Sequence, residues 1–500
     1  MTTYGRPGVY ITERLLPAPI ASEGTANAAG AVMGRFAQGP ETVTRVTSWY
    51  DFIKKFGGYN VSFPATFGVG QYFQNGGGEL YVRRVLPEDA EAAAATIERS
   101  GSGDPVGTVT AKSRGSDGNN LRIQITASSL EGTYNLGVYR EGRAGTPSSV
   151  ADDLLLEQYQ NVVFDDPAST DFVESVVNFL SENITITVTD GTGTPVSTVI
   201  PLTGGTEGDT LVAADYSGAV DSFSTILRPL VVFAPGIVEE LGATNATTVY
   251  NSLIAWAEDN AGFVIADTAA NLTPANALSA AGGLTASSHV AVYYPHVYIS
   301  DPVGRSPQAL RKIGPSGAVA GLYMTTDSLY GPFKAPAGIR ATIRGAVAVE
   351  RAFTSTELDT LNSGARPVNV LRNLPGAGVV SMGARTQLQD GTANKYVNMR
   401  RSLIYITKQL NDLTQFALFE NNDEVLWSRL RATIAVFLGE YRNQGGLRGE
   451  TEEQAFFIKI DSENNPDVLI QQGEVHIEVG VALQYPAEFV VINLSQKTSV

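Results

Sequence analysis

Residues 230–294 hold the stretch that decides the fold: Leu230-Val-Val-Phe-Ala-Pro235 and Gly262-Phe-Val-Ile-Ala-Asp267 are short, nearly continuous apolar runs. Strands covered on both faces read this way, whereas strands with one wet face alternate. Between them, Thr247–Asn260 places Val249, Leu253, Ile254 and Trp256 at helical spacing, and His289-Val-Ala-Val-Tyr-Tyr294 is a third run. Strand, helix and strand in succession predict an α/β core over about 206–345.

Towards the N-terminus, Ala28–Gly34 reads as a buried small-residue strand. Ser48-Trp-Tyr-Asp51 reads as a capping box opening a helix that ends at Phe56. Pro64–Gln74 is a second helix, closed by Asn75-Gly-Gly-Gly78, and Leu80–Val85 is a strand. Ala90–Ser100 is expected as a short helix. From 101 to about 205 the chain turns rich in Gly, Ser and Thr. Strands are expected there at 106–112, 121–127, 134–140, 184–189 and 197–202, with one helix at Asp171–Leu180, which predicts an inserted β-rich domain.

Towards the C-terminus, Leu403, Ile406, Leu410, Leu413 and Ala417 form one helical stripe, and Leu426, Leu430, Ile434, Phe437 and Tyr441 form another. Three strands are expected after them, at Ala455–Ile460, Glu474–Gln484 and Glu488–Leu494. In the middle one Val475, Ile477, Val479, Val481 and Leu483 alternate with Glu474, His476, Glu478 and Gly480, as in a strand with one apolar face. The N-terminus carries strand sequence too, at Gly8–Glu13, followed by Pro17 and Pro19. Terminal strands either pair inside their own domain or are lent to another chain's open sheet edge. Proline spacing that prevents a helical fold-back favours the second.

Length and composition bound the rest. Five hundred residues exceed one ordinary core, so an α+β multidomain chain is expected. Charged residues make up 17%, against about 25% in an average soluble domain, which points to a surface that largely faces protein. With 35 Lys+Arg against 51 Asp+Glu and no basic run longer than pairs such as Arg83-Arg84 and Arg400-Arg401, direct nucleic-acid binding is not expected. The absence of cysteine excludes disulfides and thiolate chemistry. No apolar stretch approaches a bilayer span and MTTYGRPGVYITE does not read as a leader, so a soluble, non-secreted protein without membrane insertion is expected.

The chain has no P-loop, no His-Glu-x-x-His and no Gly-x-Ser-x-Gly. Of its three histidines, His289 and His296 flank one strand and make a poor metal pair, and His476 lies between Glu474 and Glu478 on a polar face. No cofactor, metal or catalytic residue is expected. Asp267, at a strand end of the α/β core, is the one residue that invites an enzymatic reading. A helix cap accounts for it more simply.

Several motifs in order carry a resemblance. Pro7-Gly-Val-Tyr-Ile-Thr-Glu13, Gly39-Pro40, Phe56-Gly57, Asn75-Gly-Gly77 and Tyr81-Val-Arg-Arg-Val85 resemble the opening of a contractile-tail sheath protein. Gly115-Ser-Asp-Gly-Asn-Asn-Leu121 and Leu202-Thr-Gly-Gly-Thr-Glu-Gly208 are similar to its inner landmarks. Tyr293-Tyr-Pro295, Pro315-Ser-Gly-Ala-Val-Ala-Gly321 and Lys334-Ala-Pro-Ala-Gly338 resemble the end of its core. Gly383-Ala-Arg-Thr386, Asn398-Met-Arg-Arg401, Phe419-Glu-Asn-Asn422, Gly446-Leu-Arg-Gly449 and Pro486-Ala-Glu-Phe489 complete the set.

The resemblance implies a non-enzymatic virion subunit of a bacteriophage tail, assembled in the host cytoplasm. It would polymerise with identical copies around an inner tail tube protein, between baseplate and tail terminator, for genome ejection. It implies a donor arm at 1–20, the N-terminal part of the core at 21–100, a protruding β-rich insertion at 101–205, the core at 206–345, an inner polymerisation domain at 346–485 and a second donor arm at 486–500. The donated strands would be Val9, Tyr10, Ile11 and Thr12, and Phe489, Val490, Val491, Ile492, Asn493 and Leu494. The acceptor strands would hold Phe456, Phe457, Ile458 and Ile460, and Val475, Ile477 and Val479. Arg429, Arg431 and Arg442 would face the tube. The rival reading is an enzyme, hydrolase-like, built on the α/β core, and a third is another tail or baseplate protein.

Overall fold

The computed structural model describes residues 28–142, 150–190, 194–391 and 393–488. It opens on β1, Ala29–Gly34, buried throughout. β2, Thr44–Val46, leads into α1, Trp49–Phe56, whose N-cap Ser48 accepts from Asp51 N at 3.1 Å. α2, Ala65–Gln74, and β3, Leu80–Arg84, follow.

The next segment corrects an expectation. Residues 90–100 are not a helix: β4, Ala92–Glu98, is a strand paired antiparallel with β5, Pro105–Arg114. Alanines favour a helix when nothing else decides, but Ala93 and Ile97 are buried on one face of this sheet, and tertiary packing overrides the propensity. β6, Leu121–Ala127, β7, Tyr134–Arg140, β8, Leu154–Val162, α3, Val173–Leu180, β9, Ile184–Val188, and β10, Val199–Pro201, complete the β-rich region. Its sheets run β4-β5-β9 and β10-β6-β7-β8 and share one core around Ile97, Val109, Ile123, Leu136, Val177 and Ile186.

The chain then returns through α4, Ala213–Ser217, to β11, Leu230–Phe233, α5, Ile237–Asp259, β12, Phe263–Asp267, α6, Pro274–Gly282, and β13, Val290–Tyr294. β14, Val297–Ser300, β15, Leu310–Ile313, and β16, Ala346–Val349, form a small antiparallel sheet. α7, Ser316–Tyr330, and α8, Ser355–Ser363, precede the hairpin of β17, Asn369–Leu374, and β18, Gly378–Ser381.

Eight strands form the central sheet, in the order β18-β17-β13-β12-β11-β1-β3-β2. It is parallel from β17 to β3, with an antiparallel strand at each edge. β3 and β11 flank β1 on opposite sides, so the β-rich region is an excursion from this sheet. One face packs on α5, α6 and α8, the other on α1, α2 and α7. β11, β12 and β13 are buried at every position, as the apolar runs required.

α7 crosses α2 at glycine distance. A methyl group on Gly321 would lie 2.3 Å from Tyr72 O, and one on Gly317 would lie 2.1 Å from Gly68 O. The small-residue run Gly314–Gly321 is therefore a helix-packing surface. Arg84 joins the sheet to the β-rich region. It is fully buried and donates to Phe36 O (2.9 Å), Gly39 O (3.1 Å), Ser113 Oγ (2.8 Å) and Arg114 O (2.7 Å). Burial pushes its guanidinium down to about 10 against the pull of Glu207, Glu41 and Asp117.

Candidate functional site

The C-terminal region begins with α9, Val397–Thr414, and α10, Glu424–Asn443, capped by Asp423, which accepts from Leu426 N at 2.9 Å. The predicted stripes meet here: Ile406, Ile434, Leu438 and Tyr441 are buried together, and Tyr441 Oη donates to Ser402 Oγ at 3.0 Å. Arg401 fastens α9 to α7. Its Nη1 donates to Asp327 Oδ1 of α7 at 2.9 Å, and its guanidinium lies 4.6 Å from the centre of the Tyr323 ring.

On this platform sits a hairpin of β19, Phe456–Lys459, and β20, Glu478–Val481, in the register Phe456↔Val481, Phe457↔Gly480, Ile458↔Val479 and Lys459↔Glu478. Among the described residues these two strands are the whole sheet. Ala482 N donates to Ala455 O at 2.8 Å. By the alternation of an antiparallel ladder, the backbone groups of Phe456 and Ile458, and of Val479 and Val481, then point away from the partner strand. Each strand so presents an outer edge that no described residue pairs along its length.

The acceptor residues divide by depth. Phe456 and Ile460 are buried, and Ile458, Ile477 and Val479 pack partly against α9 and α10. Phe457 is 54% exposed and lays its ring over Gly480, where a methyl group would come within 2.1 Å of it. β20 is shorter than the expected Glu474–Gln484. Val475 and Ile477 precede it and pack against Leu426, Trp427 and Leu430. Asn464 and Asn465 explain this: His476 N donates to Asn465 Oδ1 (2.6 Å), and both Asn Nδ2 groups donate to His476 O (3.0 Å each). The side chains take the backbone groups that a longer ladder would use. His476 Nε2 faces Glu474 Oε2 at 2.7 Å.

Both expected donated strands, Val9–Thr12 and Phe489–Leu494, lie outside the described residues. The three arginines of α10 are placed as follows. Arg429 stacks over Phe416 at 4.3 Å, Arg431 bonds Ile460 O at the end of β19, and Arg442 reaches Glu450 O at 3.3 Å.

The rival site at Asp267 is occupied by the fold. Asp267 accepts from Ser316 N (2.8 Å) and Ser316 Oγ (2.5 Å), capping α7. Burial pushes its carboxyl up to about 7 in spite of those bonds. His296, also buried, pairs with Glu239 through Nε2 at 2.9 Å, and His289 Nδ1 faces Gly262 O at 2.8 Å. Among the described residues, no group of three or more His, Cys, Asp or Glu could hold a metal ion, and no helix is long and apolar enough to cross a membrane.

No family model matches the chain. Over 179 residues, 36% of its length, it is 27% identical to the tail sheath protein of Vibrio phage KVP40, and the match spans 26% of that protein. The similarity to solved structures is far longer. The helical sheath of the anti-feeding prophage in its contracted state aligns over 99% of this chain and all of that one, with a TM-score of 0.60 and 22% identity. A sheath tail protein from Listeria innocua aligns over 91% of this chain and 95% of its own, with a TM-score of 0.64 and 14% identity. This is the fold of contractile-tail sheath proteins.

Within the sheath fold, motifs far apart in sequence meet in pairs. Asn119 and Gly205 exchange amide bonds (Nδ2 to O, 2.9 Å; N to Oδ1, 2.8 Å), and Ser116 N and Oγ donate to Glu207 Oε1. Asn75 reaches a residue outside the motifs, accepting from Arg344 N at 2.7 Å and donating to Arg344 O at 3.1 Å. Arg385 of Gly383–Thr386 meets Glu488 of the Pro486 segment. Sequence reasoning missed this last contact, although both residues stand in motifs that the resemblance picked out.

Proposed function

We propose that this chain is the structural subunit of a contractile tail sheath, which polymerises into a helical tube around an inner tail tube and contracts to drive that tube through a target envelope. The observation that carries this reading is the β19–β20 hairpin, open-edged among the described residues, on a fold shared end to end with sheath proteins. In this reading, residues 9–12 of one neighbour and 489–494 of another pair with the free edges of β19 and β20. The β-rich region over about 101–205 projects outward, and α10 with Arg429, Arg431 and Arg442 faces the tube protein. The subunit lives in the tail, between baseplate and terminator, after assembly in the host cytoplasm.

Backbone pairing suits this task because it needs no special side-chain chemistry. Each hydrogen bond contributes a net ~0.5–1.5 kcal/mol. Four to six of them, with buried Val and Ile, give a linkage of several kcal/mol per arm, with about 25 cal/mol per Å² of apolar area. A strand that stays paired while its tether swings lets rings turn and compact without separating. The driving energy is better burial in the contracted state, released from a kinetically trapped extended one.

Deleting residues 1–14 tests the reading. The truncated chain is expected to fold and to form no regular tubes by electron microscopy, and normal helical tubes would sink the donated-strand mechanism. Reversing the charge of Arg429 and Arg442 is expected to weaken co-assembly with the tube protein, and co-assembly at the unchanged level would remove α10 from that contact.

A further inference from the structure

Glu488 directly precedes the expected donated strand Phe489–Leu494 and is held by three residues of the fold. Its carboxylate accepts from Arg385 Nε (2.8 Å) and Nη2 (2.7 Å), from Tyr396 Oη (3.2 Å) and from Asn362 Nδ2 (3.3 Å). The remaining guanidinium nitrogen, Arg385 Nη1, donates to Asn362 O at 2.7 Å. The side chains of Arg385 and Glu488 are only 14% and 22% exposed. Burial alone would raise the Glu488 carboxyl, but Arg385 outweighs it and holds the group below its usual range.

Arg385 itself cannot swing. Its N donates to Asn369 Oδ1 on β17 at 2.7 Å, its O accepts from Asn369 Nδ2 at 2.8 Å, and its backbone bridges to Tyr396. A bidentate, mostly buried guanidinium–carboxylate pair on so rigid a base fixes position and direction together. The strap between β20 and Glu488 is tied down as well. Leu483 bridges to Leu447, Gln484 O accepts from Asn398 Nδ2 at 3.3 Å, and Tyr485 meets the Tyr396 ring edge-to-face with centroids 6.4 Å apart.

We propose that the Arg385–Glu488 clamp, completed by Tyr396 and Asn362, is the anchorage that fixes the starting point of the donated segment 489–494 and so sets its reach towards a neighbouring copy. This rests on the reading of the chain as an arm-donating subunit. The six residues 489–494 span at most about 20 Å when extended. Over so short a reach, the position of the origin decides the effective concentration of the arm at its acceptor. A preset origin also removes the entropy cost of finding it during assembly. Arg385 is thus a positioning residue for polymerisation.

The test compares the full-length chain, Glu488→Gln, Arg385→Met, Arg385→Lys, Tyr396→Phe and a chain ending at residue 488. Sedimentation gives the critical concentration for polymerisation, and circular dichroism checks the fold of the dissociated subunit. Glu488→Gln and Arg385→Met are expected to raise the critical concentration tenfold or more with the fold intact. Arg385→Lys and Tyr396→Phe should lie in between, and the truncated chain should not polymerise. If the truncated chain fails while Glu488→Gln and Tyr396→Phe assemble like the parent, the clamp is overturned and the arm reading stands. If the truncated chain assembles like the parent, the arm reading falls and the clamp falls with it.

Discussion

The central sheet and the β19–β20 hairpin are built from similar residues to opposite ends. β11, β12 and β13 are buried on both faces and flanked by strands on both sides. The hairpin packs one face on α9 and α10, leaves Phe457 outside and has two unpaired edges among the described residues. A sheet finished within one chain tolerates little change, because every neighbour is already fixed. On the proposed reading, the hairpin is finished by other chains and must stay folded while incomplete. α9 and α10 provide that by packing the hairpin from behind, and Arg401 ties them to the α/β core through Asp327. On that reading, rigidity is concentrated where the chain must keep its shape, and open backbone is kept where it joins other copies.

The contrast can be broken first on its closed side. Gly321→Val would drive a branched side chain into the α2 backbone at Tyr72, and α7 could not seat. A loss of at least about 4 kcal/mol in denaturant unfolding, or no soluble protein, is expected. A variant with near-parent stability would show that the crossing is looser than its geometry requires.

A second effect sits within the same sheet, at Asp267, the last residue of β12. Its folded value, about 7, lies above the ordinary carboxylate value near 4. Stability from this group is therefore full below about pH 4 and is lost as pH rises towards 7. Ser316, His296 and Glu239 surround the carboxyl, and the favourable bonds from Ser316 and the His296 charge offset part of the loss. Asp267→Asn is expected to flatten this dependence, gaining up to about 4 kcal/mol on the parent between pH 4 and 8. Parallel stability curves for the two proteins would contradict the assignment.

The two regions were also unequally legible. The apolar runs at 230–235, 262–267 and 289–294 announced the closed sheet because burial on both faces leaves no room for polar alternation. The stripes through Leu403–Ala417 and Leu426–Tyr441 gave α9 and α10, and Ser48 marked a cap that the structure contains. Elements fixed by distant partners were not legible. β4 is alanine-rich and becomes a strand only beside β5, and β8, Leu-Leu-Leu-Glu-Gln-Tyr-Gln-Asn-Val, lacks a clear period. The early end of β20 depends on Asn464 and Asn465, which lie across a loop from His476. Arg84 and the Arg385–Glu488 clamp carried no local signal, since their meaning lies in contacts across 23 to 126 positions.

Amide hydrogen exchange at Ile458, Val479 and Val481 tests the central claim most directly, compared between dissociated subunits and assembled tubes. In the dissociated subunit these outward-facing amides should exchange readily, while Phe457 and Gly480, bonded across the hairpin, should be slower. Assembly should slow Ile458, Val479 and Val481 by at least about a hundredfold, as protection by an added strand requires. Equal exchange at these three amides before and after assembly would contradict the completion of the hairpin by neighbouring subunits.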